Sequence, residues 1–145
     1  MRRLAVKCAN SHVITARGNE LKPIQVGVGV SGGAEAAVHA IRRFVETLEA
    51  DNVLMKLDFA NDFNTIRHDT ILERTAENTP ELYKFVLATH SCEVKLTFVP
   101  YILLSRGRSQ QGDPLSGLEF CDTVQPILAE SQSKMKLGYM DNFKL

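Results

Sequence analysis

The sequence carries no net charge, since 17 lysines and arginines balance 17 aspartates and glutamates. With a pI near 6.9 it sets up no global basic field of the kind that gathers nucleic acid, although a local positive groove is compatible with neutrality. Cysteine is scarce. Cys8, Cys92 and Cys121 are odd in number and far apart, and no pair has zinc or redox spacing. That argues against a structural zinc site and a disulfide framework, and the plain expectation is reduced thiols in an intracellular protein. No apolar run reaches the ~18 residues of a membrane span. Met1-Arg2-Arg3 is followed by only a few apolar residues, too few for the core of a secretory signal. Internal repeats and low-complexity tracts are missing too. What is present is 145 residues with 44% hydrophobic and 23% charged side chains, the composition of one globular domain or a piece of a larger one.

One stretch concentrates the chemistry. Val53-Leu54-Met55-Lys56-Leu57 is a short apolar run that ends in Asp58, with Phe59 next and Phe63 close behind. A run this short, bounded by polar residues, predicts a buried strand. An acid where such a strand leaves the core is exposed and well placed to hold a metal ion.

In chain order, Leu4, Cys8, Val13 and Ile14 predict a helix from Arg2 to about Ala16. Arg2, Arg3, Lys7 and Arg17 make this end basic, which reads either as a solvated face or as contact with a phosphate-bearing ligand. Gly18-Asn19 signals a turn and Pro23 a loop. Gly27-Val28-Gly29-Val30-Ser31-Gly32 matches G-x-G-x-x-G, and Ala37, Val38, Ile41, Phe44, Val45 and Leu48 follow at helical steps. Glycine loop, helix, strand and acid together resemble a dinucleotide-binding unit. That reading needs a solid strand before Gly27, where there is only Ile24-Gln25-Val26.

Beyond Phe63, a helix is expected through Ile66, Ile71 and Leu72, with Asp69 as a cap. Thr79-Pro80-Glu81 has the cap, proline and acid of a helix start, with Leu82, Phe85, Val86 and Leu87 inward. Alternation over 93–98, Pro100, and a second strand over 101–105 predict a hairpin. Gln110-Gln111-Gly112-Asp113-Pro114-Leu115-Ser116 is a polar loop entering a helix, with Asp113 as cap and Pro114 in first position. Gly112 would let the backbone approach a ligand. Met135, Leu137 and Tyr139 alternate into a short strand ending Tyr139-Met140-Asp141-Asn142.

Four of these pieces stand in one order: the glycine segment with its helix through Arg43, Leu57-Asp58-Phe59 with Phe63, Gln110 to Ser116, and Tyr139-Met140-Asp141. In that order they resemble the reverse transcriptase of non-LTR (LINE-like) retrotransposons. Gly32-Gly33-Ala34-Glu35-Ala36-Ala37-Val38-His39-Ala40 and Arg2-Arg3-Leu4-Ala5-Val6-Lys7 look most like the site-specific elements that insert into ribosomal RNA genes. The dinucleotide reading explains nothing after Asp58.

The resemblance implies an α+β fold, a right-hand polymerase fragment with an antiparallel sheet packed on helices. Residues 1–50 would be fingers leading into the palm, and 51–145 the palm. It implies RNA-directed DNA synthesis on an RNA template and DNA primer from deoxynucleoside triphosphates. The cofactor would be two Mg²⁺ ions, or Mn²⁺. Such ions sit about 3.5–4 Å apart in this chemistry. Asp58 and Asp141 would be catalytic and, with Asn142, would ligate metal. Phe59, Phe63, Gln111 and Gly112 would line the nucleotide, Phe63 lying under its sugar. Arg2, Arg3 and Lys7 would touch template or phosphate. No membrane is involved. The setting would be intracellular, nuclear when acting on target DNA and otherwise cytoplasmic, with the rest of a retroelement polyprotein as a partner.

The chain also departs from the family pattern. Asn142 replaces the second of two adjacent aspartates, Asp62 stands where alanine is usual, Gly117 replaces a proline, and Glu119 replaces an apolar residue. Pro126 should kink or stop its helix, at a cost of ~3 kcal/mol. The thumb, most of the fingers, and DNA-binding and endonuclease regions have no counterpart. A truncated or decayed copy with little activity, or a non-catalytic RNA-binding or structural remnant, is therefore expected.

Overall fold

A computed structural model describes residues 2–59, 62–91, 94–105 and 112–145, with side chains at all of these except 62, 64, 94–98 and 103–105. The fold is α+β. Helices α1 (Arg2–Leu21), α2 (Gly33–Glu46), α3 (Asp62–Thr65), α4 (His68–Asn78), α5 (Tyr83–His90) and α6 (Ser116–Glu130) accompany two small antiparallel sheets. Strands β1 (Lys56–Asp58), β4 (Leu137–Tyr139) and β5 (Asn142–Lys144) form one sheet in the order β1-β5-β4. Strands β2 (Val94–Phe98) and β3 (Tyr101–Ser105) form the expected hairpin as a sheet of their own.

The fold centres on α6, not on the strand that ends in Asp58. Leu118, Phe120, Cys121, Val124 and Leu128 of α6 are buried, and so are its polar Ser116, Glu119 and Asp122. Over residues 118–122 every position is buried, which requires neighbours on several sides, and α6 packs against α1, α3 and α4, with Ile127, Ala129 and Glu130 exposed near its end. The expected stop at Pro126 does not occur, and α6 runs through to Glu130. The proline removes one backbone donor, but the surrounding packing carries the helix past it.

Two buried acids of α6 have partners, although Arg17 Nε and His68 Nε2 are buried without one among the described residues. Arg17 of α1 reaches Asp122 of α6, Nη2 to Oδ1 at 2.6 Å, and also pairs with Glu20. Burial pushes the Asp122 carboxyl up, and Arg17 pulls it down. Glu119, out of place as a core residue by its sequence, sits 3.0 Å from Nε2 of His90 at the end of α5. The His90 ring in turn packs on His68, centroids 4.4 Å apart. A buried carboxylate with such a partner escapes most of the penalty for burying a charge alone.

Several local expectations change. Helix α1 does not end near Ala16; it continues through Gly18 and Asn19 to Leu21. The glycine is no turn signal here. A Cβ on Gly18 would come within 2.6 Å of the Val28 carbonyl oxygen, so the residue permits a close crossing of helix and loop. The inward face of α1 is Val6, Val13, Arg17 and Leu21, whereas Leu4 and Cys8 are exposed. Val53 and Met55 are also exposed, 85% and 49%, because the strand proper begins only at Lys56 and lies at the sheet edge. Val38, Val45 and Leu87 point outward as well. Arg67, not Asp69, holds the N-cap position of α4, without a side-chain cap bond, and Asp69 accepts the Thr70 N–H from within the first turn. Pro80 opens a single 3₁₀ turn before α5. Asp113 accepts the N–H of Leu115 at 3.0 Å, and α6 begins two residues after Pro114.

Among the described residues, no helix is long and apolar enough to cross a membrane.

Candidate functional site: the β1–β5 rim and the Met140–Asp141 turn

Strand β5 is central in its sheet, and Phe143 in its middle is completely buried. The alternation of a strand then fixes its neighbours. Phe143 pairs with Leu57 on the core side, so Asn142, Lys144, Lys56 and Asp58 take the outer side. In the ladder Asp58 stands opposite Asn142, and Lys56 opposite Lys144. Directly opposed residues in an antiparallel pair lie about 4.5–5.5 Å apart at Cα. Asp58 is therefore beside Asn142, and Asp141 is the next residue in the chain.

Asp141 belongs to a two-residue turn. Tyr139 pairs with Asn142, leaving Met140 and Asp141 to join β4 to β5. Tight turns of this length want a positive φ at their first position, usually supplied by glycine or asparagine. Here Met140 adopts φ 53°, alone among the described non-glycine residues. A side chain in that region costs about 1–2 kcal/mol, and such outliers cluster at functional sites.

The rim is polar and open. Asp58 is exposed and Asp141 half-buried. Nδ2 of Asn142 donates to Oδ1 of Asp141 at 3.2 Å, which leaves the Asn142 carbonyl oxygen free of that contact. Beneath the rim lies Cys121, whose thiol is pushed up by burial first and then by the charges of Asp122 and Asp141. On the outer face, burial and the neighbouring Lys56 lower the Lys144 ammonium, and Asp58 opposes them. Among the described residues, no group of three or more His, Cys, Asp or Glu side chains is disposed around one point; the rim has two carboxylates and an amide.

The remaining predicted site residues divide. Phe59 and Phe63 come together around Phe120, with centroids 5.7 and 5.5 Å from it, and Phe59 also meets Phe143 edge-on at 5.5 Å. Both rings thus join the rim to the core, with Phe59 still 39% exposed. Gly112 has φ 84° and open space where a Cβ would be. Its conformation favours glycine, with no close neighbour among the described residues. Gln110 and Gln111 lie outside the described residues, as do Ala60, Asn61 and the side chain of Asp62. Arg2 pairs with Asp113 at 3.5 Å, bringing the basic end of α1 to the Gly112 turn. Arg3 and Lys7 are exposed on that helix.

Within the glycine segment, Gly27 packs against the rim turn, and Gly29 and Gly33 pack against other backbone. A Cβ on Gly27 would come within 2.6 Å of the Met140 nitrogen, on Gly29 within 2.2 Å of the Ile14 oxygen, and on Gly33 within 1.9 Å of the Val26 oxygen. At these three glycines the close approach is to this protein's own backbone, whereas Gly32, at φ 67°, has no such neighbour among the described residues. In place of a strand before Gly27 there is one parallel bridge, Gln25 to Gly138. The residue missed in the sequence is Gln25. Its only trace there was a polar side chain inside the apolar triplet Ile24-Gln25-Val26.

The chain matches no family model, no curated protein and no solved structure.

Proposed function

We propose that this chain is the palm, with part of the fingers, of an RNA-templated DNA polymerase of the retrotransposon type its motifs resemble. The observation that supports this best is the pairing of Asp58 with Asn142, which sets the end of one apolar strand beside the turn that carries Asp141. Two acids distant in sequence meet at one rim.

The donors suit a hard divalent cation. Asp58 and Asp141 offer carboxylate oxygens, and Asn142 offers its carbonyl, the amide N–H being turned toward Asp141. Mg²⁺ or Mn²⁺ held there would activate a primer 3′-hydroxyl and neutralise charge on the incoming triphosphate. Asp58, Asp141 and Asn142 would hold it. Phe59 and Phe63 stiffen the floor behind Asp58. Arg2, Arg3 and Lys7 supply positive charge of the kind an RNA template or DNA primer needs. The buried Glu119 is matched by His90, and Pro126 is absorbed by α6, so neither departure marks a damaged core.

A second reading is favoured by the same Asn142 amide. Because its N–H occupies Asp141 and it brings no charge, the rim could be a non-catalytic remnant that binds RNA through its basic end. One experiment separates the two. Residues 53–145 are grafted into an intact reverse transcriptase, with Asn142 and with Asn142→Asp, and primer extension is measured with Mg²⁺. The polymerase reading expects extension by both, abolished by Asp58→Ala. A graft that is silent with Asn142 and active with Asp supports the remnant.

A further inference from the structure

Gln25 is completely buried, yet it carries a polar amide. Its partners account for that. Oε1 accepts the N–H of Met140 at 2.9 Å and the N–H of Gly27 at 3.1 Å, and Nε2 donates to the Met140 carbonyl at 3.1 Å. One side chain thus satisfies both backbone groups of the residue held at φ 53°.

The surroundings are shaped around this contact. Gly138 leaves room for Gln25, since a Cβ there would lie 3.0 Å from Nε2 and 2.6 Å from the Phe143 ring. Gly27 brings its backbone against the Met140 nitrogen. The bridge between Gln25 and Gly138 is fixed by Val26 N–H to Gly138 oxygen at 2.9 Å and Gly138 N–H to Ile24 oxygen at 2.6 Å. A turn with a methionine in a glycine conformation has no intrinsic reason to hold its shape. The amide of Gln25 gives it one, and the next residue in the chain is Asp141.

We infer that Gln25 is a positioning residue: its amide fixes the Met140–Asp141 turn and so aims the Asp141 carboxylate at the rim it shares with Asp58. This rests on the metal-holding role proposed for that rim. Outer partners of this kind, which orient a ligating group without touching the ion, typically carry 10–100-fold in metal affinity.

The test uses the whole chain, Mn²⁺ as probe, and two readouts: Mn²⁺ affinity by electron paramagnetic resonance, and amide hydrogen exchange at Met140. The variants are Gln25→Met, similar in length but unable to make these bonds, and Val86→Ala, a core truncation in α5. Expected are a protected Met140 amide in the wild type, loss of that protection in Gln25→Met, and Mn²⁺ binding weakened by about 10-fold or more. Val86→Ala, compared at matched thermal stability, should bind Mn²⁺ like the wild type. The assignment is overturned if Met140 exchanges freely in the wild type, if Gln25→Met binds Mn²⁺ unchanged, or if Val86→Ala loses as much. Should Gln25→Met fail to fold, Gln25→Asn decides, since it keeps a neutral amide but is one methylene too short to reach both Met140 groups. Weakened Mn²⁺ binding by the folded Asn variant supports the assignment, and wild-type binding overturns it. A wild type that binds no Mn²⁺ yet shows Gln25-dependent protection of Met140 removes the polymerase reading and leaves the turn assignment standing.

Discussion

Asp58 and Asn142 face each other across the β1–β5 ladder, one at the last residue of its strand and the other at the first. The pairing makes a charged residue and a neutral one neighbours where the chemistry of the rim would prefer two charges. It also yields a direct prediction. Asp58→Ala and Asp141→Ala should each weaken Mn²⁺ binding by on the order of tenfold or more, and Asn142→Asp should strengthen it, because affinity for hard cations follows ligand charge. Calorimetric titration measures all three. Unchanged affinity in Asn142→Asp would remove Asn142 from the ligand set.

The buried pair of Arg17 and Asp122 ties α1 to α6. Arg17→Met strands the buried Asp122 carboxylate and should cost about 3–5 kcal/mol, whereas Asp122→Leu should cost less, because Arg17 keeps Glu20. The double variant should recover most of that loss. Urea denaturation of the three proteins gives the answer, and additive losses would show that the pair does not act as a unit. The sign of the pH effect follows from the raised Asp122 carboxyl. A carboxyl that holds its proton more tightly folded than unfolded favours the fold at low pH. That advantage fades as pH rises above the ordinary carboxylate value through the raised one.

Asp69 behaves in the opposite way. Its hydrogen bond from Arg67, then the Thr70 N–H, lowers its carboxyl from 3.8 to about 2. A depressed carboxyl stabilises the fold above its unfolded value, and that contribution disappears as pH falls from about 4 toward 2. Carboxyl chemical shifts should titrate Asp69 near the lower value in the wild type and closer to the ordinary one in Arg67→Ala, the Thr70 N–H keeping part of the depression. Because the pair is exposed, added salt should narrow the difference.

The cysteines offer a simple probe of burial. Cys8 is exposed on α1, and Cys121 is wholly buried in α6 with its thiol raised. Since the thiolate is the nucleophile, iodoacetamide should label Cys8 in the native protein and reach Cys121 only after denaturation. Mass spectrometry of the alkylated peptides checks this. Native labelling of Cys121 would mean that α6 is not the centre of the core.

The sequence made the strand into Asp58, the 94–105 hairpin and the Tyr139 strand legible because each is a local pattern with a breaker beside it. What it could not reveal are relationships across the chain. Gly18 looks like a turn until the Val28–Gly29 loop crosses it. Glu119 looks like decay until His90 is beside it. Gln25 looks like a flaw in a weak strand until it closes on Met140, 115 residues away. The acids of the rim could be singled out from the ends of apolar runs. The residue that orients one of them could not, because its meaning lies in a contact that no local period encodes.

The crowding of buried positions onto α6 has a kinetic side. A helix that α1, α3 and α4 all lean on cannot open without releasing them, so its amides should exchange with solvent only when the whole molecule unfolds. The β2–β3 hairpin forms a sheet separate from β1-β5-β4, so its ladder can open without breaking that one. The exposed tip at Val99 and Pro100 is where a proteolytic nick would fall before any in α6.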